Sequence, residues 1–152
     1  MDETERNKLL ESEYFHLQRV VEEFDQRALT IKAWSVTFSA AGLGLAYSES
    51  ERAIPLVASL SAIVFWIVES LWKTNQQAYY PRIGEIEAHF SLAESLTMPL
   101  AIKRSWSESW RQRGKYGLAF HIMRWPHVAL PHVFVVVAGL LLFLLFPPGP
   151  SS

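Results

Sequence analysis

The hydrophobic and polar positions of this chain are segregated into long blocks. Three apolar runs, at residues 28–47, 53–72 and 128–146, are separated by charged segments. Each run is close to the roughly 20 residues with which a helix crosses the hydrocarbon core of a bilayer. Buried core helices of a soluble protein have a similar composition, and this alternative stays open, most of all for the third run. The pattern predicts an all-α integral membrane protein with three transmembrane helices and long cytoplasmic helical extensions.

Lysine and arginine predict the orientation of these helices. Residues 73–127 contain eight of them, the turn "SESER" at 48–52 contains one, and the tail at 147–152 contains none. Because basic residues in short loops resist translocation, we expect residues 73–127 and the N-terminus to be cytoplasmic. The turn and the C-terminal tail are then external or periplasmic, as in a multi-pass protein of the cell inner membrane.

Composition excludes several kinds of site. Half of the 152 residues are hydrophobic, the formal net charge is −1, and cysteine is absent. Disulfides, zinc–thiolate centres and thiol catalysis are therefore excluded. The segment before the first run is rich in acidic side chains, whereas a secretory signal begins with a short basic leader. The first run is therefore not expected to be a signal peptide.

Residues 1–28 are predicted to form a cytoplasmic amphipathic helix. Their apolar side chains recur in alternating steps of four and three, which is the spacing of a heptad seam: Leu10, Tyr14, Leu17, Val21 and Phe24. No proline or glycine occurs before residue 42, so one helix of about 40 residues is expected to enter the membrane directly. The other faces carry eight acidic and four basic residues, which favours a solvated surface, with contact to basic residues of 73–127 as the alternative.

A second apolar stripe lies in the cytoplasmic segment at 73–127. The helix of the second run is expected to continue to Pro81, which lacks a backbone donor and disfavours helix at the residue before it. Beyond it, the same spacing of three and four recurs at Ile83, Ile86, Phe90 and Ala93. The two stripes are expected to bury each other within one chain, or to pair between the subunits of a homo-oligomer.

Two charged residues lie inside apolar runs. In the two-span hairpin at 28–72 the turn is centred near Ser50, with Lys32 eighteen residues before it and Glu69 nineteen after it. The two side chains therefore come to about the same depth. A lone charge at the bilayer centre costs about 2.5 to 3.5 kcal/mol, so we predict an intramembrane ion pair between them. Independent snorkelling to the headgroups and an ion- or proton-carrying role are the alternatives.

A segment rich in tryptophan and basic residues follows the break "TMP" at 97–99. It contains a predicted interfacial or anionic-ligand patch of seven residues: Lys103, Arg104, Trp106, Trp110, Arg111, Arg113 and Lys115. Tryptophan favours the headgroup region and clustered basic residues attract anionic lipid, so a helix on the inner leaflet is favoured. A pocket for a phosphate-bearing ligand is the alternative. Nucleic acid is not an expected partner, because no recognition motif accompanies the charge.

Signals of catalysis are weak. Glu85 and His89 share a helical face but supply at most two metal ligands. "GKYG" at 114–117 lacks the residues of a phosphate-binding loop. His127 and His132 lie on either side of Pro131, where capping and packing are favoured over pH sensing or ligand binding. We therefore predict that the protein is not an enzyme and has no catalytic residue, metal site or cofactor.

The order of these segments resembles a known group of proteins. A cytoplasmic helix, a hairpin closed by "SESER" and a helical continuation "WKTNQQAYYPRIGEIE" are similar to the SLATT-type small membrane effectors of bacterial conflict systems, over about residues 5–95. The resemblance implies that the chain forms homo-oligomers that permeabilise the inner membrane when an associated sensor detects infection. The third apolar run and the lack of a recognisable sensor domain depart from this pattern, which leaves the trigger open.

The leading functional prediction is an oligomeric membrane effector, pore-forming or membrane-perturbing, in a bacterial defence or stress module. Its expected partners are the lipid bilayer, further copies of the chain and a cytoplasmic sensor or enzyme. A non-catalytic membrane anchor that docks a cytoplasmic enzyme is the first alternative. A small channel or transporter is the second.

Overall fold

The computed structural model describes residues 1–49, 53–92, 97–112 and 115–145, which form six α-helices and contain no strand. The helices are α1 Glu3–Glu49, α2 Ala53–Gln77, α3 Tyr80–Leu92, α4 Ile102–Gln112, α5 Lys115–Met123 and α6 Pro126–Leu145. The predicted all-α class is confirmed for this part of the chain. The turn at 50–52 and the tail at 147–152 lie outside the described residues.

Helix α1 is a single element of 47 residues, about 70 Å long. Glu3 and Glu5 in its first turn interact favourably with the positive end of the helix dipole. The uninterrupted helix that the absence of early proline and glycine predicts is present, and it continues through Gly42 and Gly44. Residues 1–28 and the first apolar run are therefore parts of one helix.

The prediction that the helix of the second run continues to Pro81 is wrong. Helix α2 ends at Gln77, and the chain turns at Ala78 and Tyr79, whose amides donate to carbonyls three residues earlier. Pro81 is instead the second residue of α3. Proline is well tolerated there, because the first turn of a helix leaves its amides unpaired in any case.

The chain divides into two compact units. Unit 1 contains Met1–Arg27 and Trp72–Ala119, and unit 2 contains Ala28–Leu71 and the chain from Phe120 onward. The core of unit 1 consists of Leu10, Leu17, Val21, Ile83 and Ile86. The two predicted stripes therefore bury each other within one chain. Phe90 departs from this pattern, since 53% of it is exposed, and Ala93 lies outside the described residues.

Two helical stretches are long and apolar enough to cross a membrane. One lies within Ala53–Ser91 and the other is Pro126–Leu145, and they correspond to the second and third predicted spans. The first predicted span, at 28–47, is helical but of more mixed composition, because it contains Lys32 together with several serine, threonine and glycine residues. The described structure therefore contains two clear candidate spans rather than three.

Candidate functional site

Unit 2 contains a buried cluster of charged side chains where three helices meet. Lys32 of α1 places its Nζ 3.0 Å from Oε1 of Glu69 of α2. Glu69 is fully buried, whereas the Lys32 side chain is 20% exposed. The structure thus brings together the two residues whose equal distance from the turn predicts a pair. Oε1 receives no well-directed hydrogen bond from the described residues, so this contact is an ion pair.

His132 of α6 is the third member of the cluster. Its Nε2 lies 3.0 Å from Oε2 of Glu69, and its Nδ1 lies 3.1 Å from Oγ of Ser35. The ring is completely buried. His132 is thus a hydrogen-bonding partner of the buried carboxylate of Glu69 rather than a cap at the start of the helix, which sequence reasoning missed.

A sequence signal for His132 was nevertheless present. Glu69 lies three residues before the end of the second apolar run, and His132 lies four residues after the start of the third. In the predicted topology both positions are at the cytoplasmic end of their spans. The same comparison of depths that pairs Lys32 with Glu69 therefore also places His132 at their level.

Trp66 covers the imidazole of His132. The two rings are stacked, with centroids 6.3 Å apart and planes inclined by 16°. The indole Nε1 of Trp66 donates a hydrogen bond to the carbonyl oxygen of Met123 at 3.0 Å. The ring of Trp66 therefore has a stacking partner and its N–H has an acceptor. These two contacts hold the side chain in one orientation beside the cluster.

Small residues bring the helices of unit 2 into close contact. A β-carbon on Gly42 would lie 3.2 Å from Cβ of Ala58, whereas one on Gly44 would meet nothing within 4 Å. The tightest contact is at Gly139, where a β-carbon would lie 2.1 Å from Oγ of Ser59. Sequence reasoning did not identify Gly139, which lies in the third predicted span.

Arg82 and Glu13 form a buried ion pair in unit 1. Nε and Nη2 of Arg82 donate to the two carboxylate oxygens of Glu13 at 2.8 and 3.1 Å, and Nη1 donates to Glu85 at 2.9 Å. Burial by itself lowers the pKa of Arg82, but the hydrogen bonds to Glu13 and Glu85 outweigh it and raise the pKa above its ordinary value. The guanidinium is therefore permanently charged. The prediction that the acidic faces of residues 1–28 are solvated is wrong at Glu13.

The same ion pair holds the connection between α3 and α4. Nη2 of Arg82 donates to the carbonyl oxygen of Met98 at 2.7 Å, and the amide of Leu100 donates to Oε2 of Glu13 at 2.6 Å. Leu100 has a φ of 63°, a conformation that costs a residue with a β-carbon about 1 to 2 kcal/mol. Its side chain is 77% exposed, so no packing explains the strain. The ion pair supplies the constraint.

The predicted seam of α1 is occupied inside unit 1. Leu10, Leu17 and Val21 are buried, and Tyr14 packs beside them and donates a hydrogen bond to Glu87 at 3.0 Å. Phe24 contacts Trp72, with ring centroids 4.8 Å apart, and its carbonyl accepts from the Trp72 indole at 3.2 Å. Since α2 and α3 of the same chain cover this seam, it does not present a free surface to a second copy.

The basic and aromatic patch is divided between α4 and the following segment. Ser105 and Ser109 form the buried face of α4, whereas Lys103, Arg104 and Arg111 are exposed. The rings of Trp106 and Trp110 are half-buried and stacked, with centroids 5.3 Å apart. Lys115 begins α5, and Arg113 lies outside the described residues. The described part of the patch therefore presents a basic face edged by two tryptophans.

An open groove on unit 1 combines aromatic and acidic side chains. It has a volume of about 360 Å³ and is lined by Glu11, Tyr14, Phe15, Glu87, Phe90 and Ser91. Phe15 is 60% exposed and Phe90 is 53% exposed. Neither residue was selected from the sequence as part of a surface site, because isolated apolar residues on helices are usually buried.

The weaker candidates of the sequence do not converge. Glu85 pairs with Arg82, and His89 contacts Oδ1 of Asn7 at 3.1 Å, so the two side chains have separate partners. His127, at the start of α6, is exposed. These positions are therefore not part of the cluster around Glu69.

No protein family, curated protein or solved structure matches this chain. The SLATT-type resemblance accordingly stays a prediction.

Proposed function

We propose that the chain is a three-span protein of the inner membrane, with spans at 28–47, 53–72 and 128–146. The observation that carries this proposal is the inverted distribution of polarity in unit 2. Lys32, Glu69 and His132 point into the contacts between helices, while large apolar side chains point outward. Among the outward residues are Leu60, Val64, Leu130, Phe134 and Leu144, each at least half exposed.

Water and lipid favour opposite arrangements of these side chains. A continuous apolar surface of this kind is rare on soluble monomers. In hydrocarbon, exposure of the same apolar surface has no free-energy cost. The polar groups contact one another and are shielded from the lipid. This supports placing 28–47 in the membrane as well, because its Lys32 supplies the counter-charge of Glu69. By the distribution of basic residues, unit 1 is cytoplasmic and the C-terminus external.

Within that membrane, the proposed activity is that of an oligomeric effector that permeabilises or perturbs the bilayer, without catalytic chemistry of its own. Three helices cannot enclose a water-filled path in hydrocarbon, so a pore requires several copies. Because the α1 seam is buried within unit 1, we expect assembly to use the membrane helices. The SLATT-type resemblance supports the setting of a bacterial defence or stress module with a separate sensor.

Inducible expression with a membrane-potential dye tests this proposal. Rapid depolarisation is expected in cells that insert the protein, together with higher species after cross-linking in membranes. A matched variant, Arg19→Gln, alters an exposed residue of unit 1 outside the predicted patch and should depolarise to the same extent once inserted. Full insertion with an unchanged potential and only monomers would overturn the effector proposal.

The groove on unit 1 favours a second candidate, a membrane anchor for a cytoplasmic protein. Phe15 and Phe90 expose apolar rings between Glu11 and Glu87, which fits a segment of a partner that combines apolar and basic residues. Under this candidate, Phe15→Ser with Phe90→Ser abolishes recovery of the partner with the membrane fraction and leaves insertion intact. Recovery that is unaffected by the double change would remove the groove from consideration.

A further inference from the structure

His132 uses both of its ring nitrogens within the membrane unit. Its Nε2 lies 3.0 Å from the carboxylate of Glu69, and its Nδ1 lies 3.1 Å from the hydroxyl of Ser35. An ionised carboxylate only accepts hydrogen bonds, so with Glu69 ionised Nε2 carries the hydrogen. Nδ1 of the neutral ring then accepts from the Ser35 hydroxyl. Each nitrogen therefore has its own exchangeable partner, one on either side of the ring.

The chain of polar groups has one end at Ser39 and the other at Lys32. Ser39 lies one helical turn beyond Ser35 on the same face of α1, is 1% exposed, and its Oγ has no hydrogen-bond partner among the described residues. At the other end, Oε1 of Glu69 is ion-paired with Nζ of Lys32 at 3.0 Å. Buried polar atoms are normally paired by protein or by ordered water. The chain of polar groups therefore extends from the Ser39 hydroxyl to the ion pair of Glu69 with Lys32.

A purely structural role at position 132 would not require a histidine. The ion pair with Lys32 already neutralises Glu69, and an apolar residue at position 132 would then fill the space without burying another polar ring. The titratable groups that face the imidazole are Glu69 from α2 and, through Glu69, Lys32 from α1. With a neutral imidazole the three side chains have no net charge.

We propose that Ser39, Ser35, His132 and Glu69 form a proton relay through the membrane unit, with the proton as the transported ligand. The Ser35 hydroxyl gives its proton to Nδ1 and regains one from the Ser39 side. The resulting imidazolium gives the Nε2 proton to Oε2 of Glu69. The neutral carboxyl releases that proton on the side of Lys32, whose side chain is partly exposed. A half-turn of the ring then returns its remaining hydrogen to the side of Glu69.

This relay depends on the membrane placement proposed above, but on neither oligomerisation nor an effector role. A relay through side chains moves protons and excludes larger solutes, whereas an oligomeric pore passes both. The two activities are therefore separable in one preparation.

Proton flux into vesicles tests the relay. The full chain is reconstituted into vesicles of phosphatidylcholine and phosphatidylglycerol that contain the pH dye pyranine, and a potassium diffusion potential is applied with valinomycin. Wild type should change the internal pH faster than empty vesicles. His132→Gln and Glu69→Gln should each reduce the protein-dependent rate at least about tenfold, since each removes an obligatory proton carrier. His127→Gln alters an exposed histidine of the same helix and should keep the wild-type rate.

Further measurements make each outcome decisive. If His132→Gln or Glu69→Gln fails to fold, Ser35→Ala retains the contact between His132 and Glu69 and should still slow proton entry. Vesicles loaded with carboxyfluorescein report a pore: dye release by wild type, together with proton entry that His132→Gln does not slow, overturns the relay and supports the effector. Wild-type protein that floats with the vesicles but carries no protons also overturns the relay. Protein that does not float with vesicles contradicts the membrane placement itself.

Discussion

Gly139 of α6 packs so closely against Ser59 of α2 that a β-carbon on Gly139 would lie 2.1 Å from the Ser59 hydroxyl oxygen. The same β-carbon would lie 2.7 Å from the carbonyl oxygen of Pro55, which is part of the α2 backbone and cannot rotate away. The Ser59 hydroxyl is itself committed, since it donates to the Pro55 carbonyl at 2.9 Å. The approach of α2 and α6 therefore depends on the absence of a side chain at residue 139.

Gly139→Ala should destabilise unit 2. Overpacking of a close contact typically costs about 1 to 3 kcal/mol, and here the helices must separate to admit the methyl group. Unfolding of the purified protein in mild detergent measures the loss. Gly44→Ala is the matched control, because nothing lies within 4 Å of its β-carbon, and it should be neutral or stabilising by up to about 1 kcal/mol. Equal effects of the two changes would be inconsistent with the contact.

Arg82→Ala should destabilise unit 1 severely. It leaves the carboxylate of Glu13 buried and without its counter-charge, which typically costs about 3 to 5 kcal/mol. Arg104→Ala removes an ion pair of similar chemistry with Glu108, but the Arg104 side chain is 83% exposed, so its effect should stay below about 1 kcal/mol. Chemical denaturation followed by the fluorescence of the tryptophans compares the two variants. A small effect at Arg82 would mean that Glu13 is solvated after all.

Leu100→Gly should stabilise the protein. The positive φ of Leu100 strains any residue with a β-carbon, and its exposed side chain contributes no packing that glycine would lose. A gain of up to about 1 kcal/mol is expected, reduced by the greater freedom of glycine in the unfolded chain. Leu100→Ala keeps the β-carbon and should bring no gain. The unfolding midpoints of the two variants are compared. Equal midpoints would argue against the positive φ of Leu100.

Lys32→Ala and Glu69→Ala should be non-additive. Either change alone leaves one charge without its partner in unit 2, whereas the double change removes both charges. The double variant should therefore be more stable than the sum of the single losses implies. The coupling energy from a double-mutant cycle in detergent is the relevant measurement. A cycle that closes with strict additivity would reject the pairing.

The proposed topology makes a separate prediction about sidedness. A reporter fused after Ser152 should be active outside the cytoplasm, and one inserted at Met98 should be active inside it. This follows from three spans, because an odd number places the two ends of the chain on opposite sides. Reporters on the same side would mean that one of the three runs does not cross the membrane.

Local sequence patterns determined the helical class of this protein and one of its ion pairs. Apolar spacing predicted helices in the three apolar runs and in the two cytoplasmic stripes, and the absence of early glycine and proline predicted an uninterrupted helix of about 40 residues where α1 has 47. The pairing of Lys32 with Glu69 followed from counting, because a very short turn constrains the depth of both flanking helices. Pro81 was misread since proline both ends and begins helices, and its own identity does not distinguish the two.

Tertiary structure alone decided which faces of the helices meet. The pairs Glu13–Arg82 and Glu69–His132 are 69 and 63 residues apart in the chain, and each depends on the rotation of both helices about their axes. Periodicity shows that a helix has an apolar face, but it does not indicate which partner covers that face. For this reason burial of the α1 seam against α3 was the simplest prediction, and pairing with a second copy stayed open as the alternative. The packing of whole helices, not any local signal, resolved it in favour of the same chain.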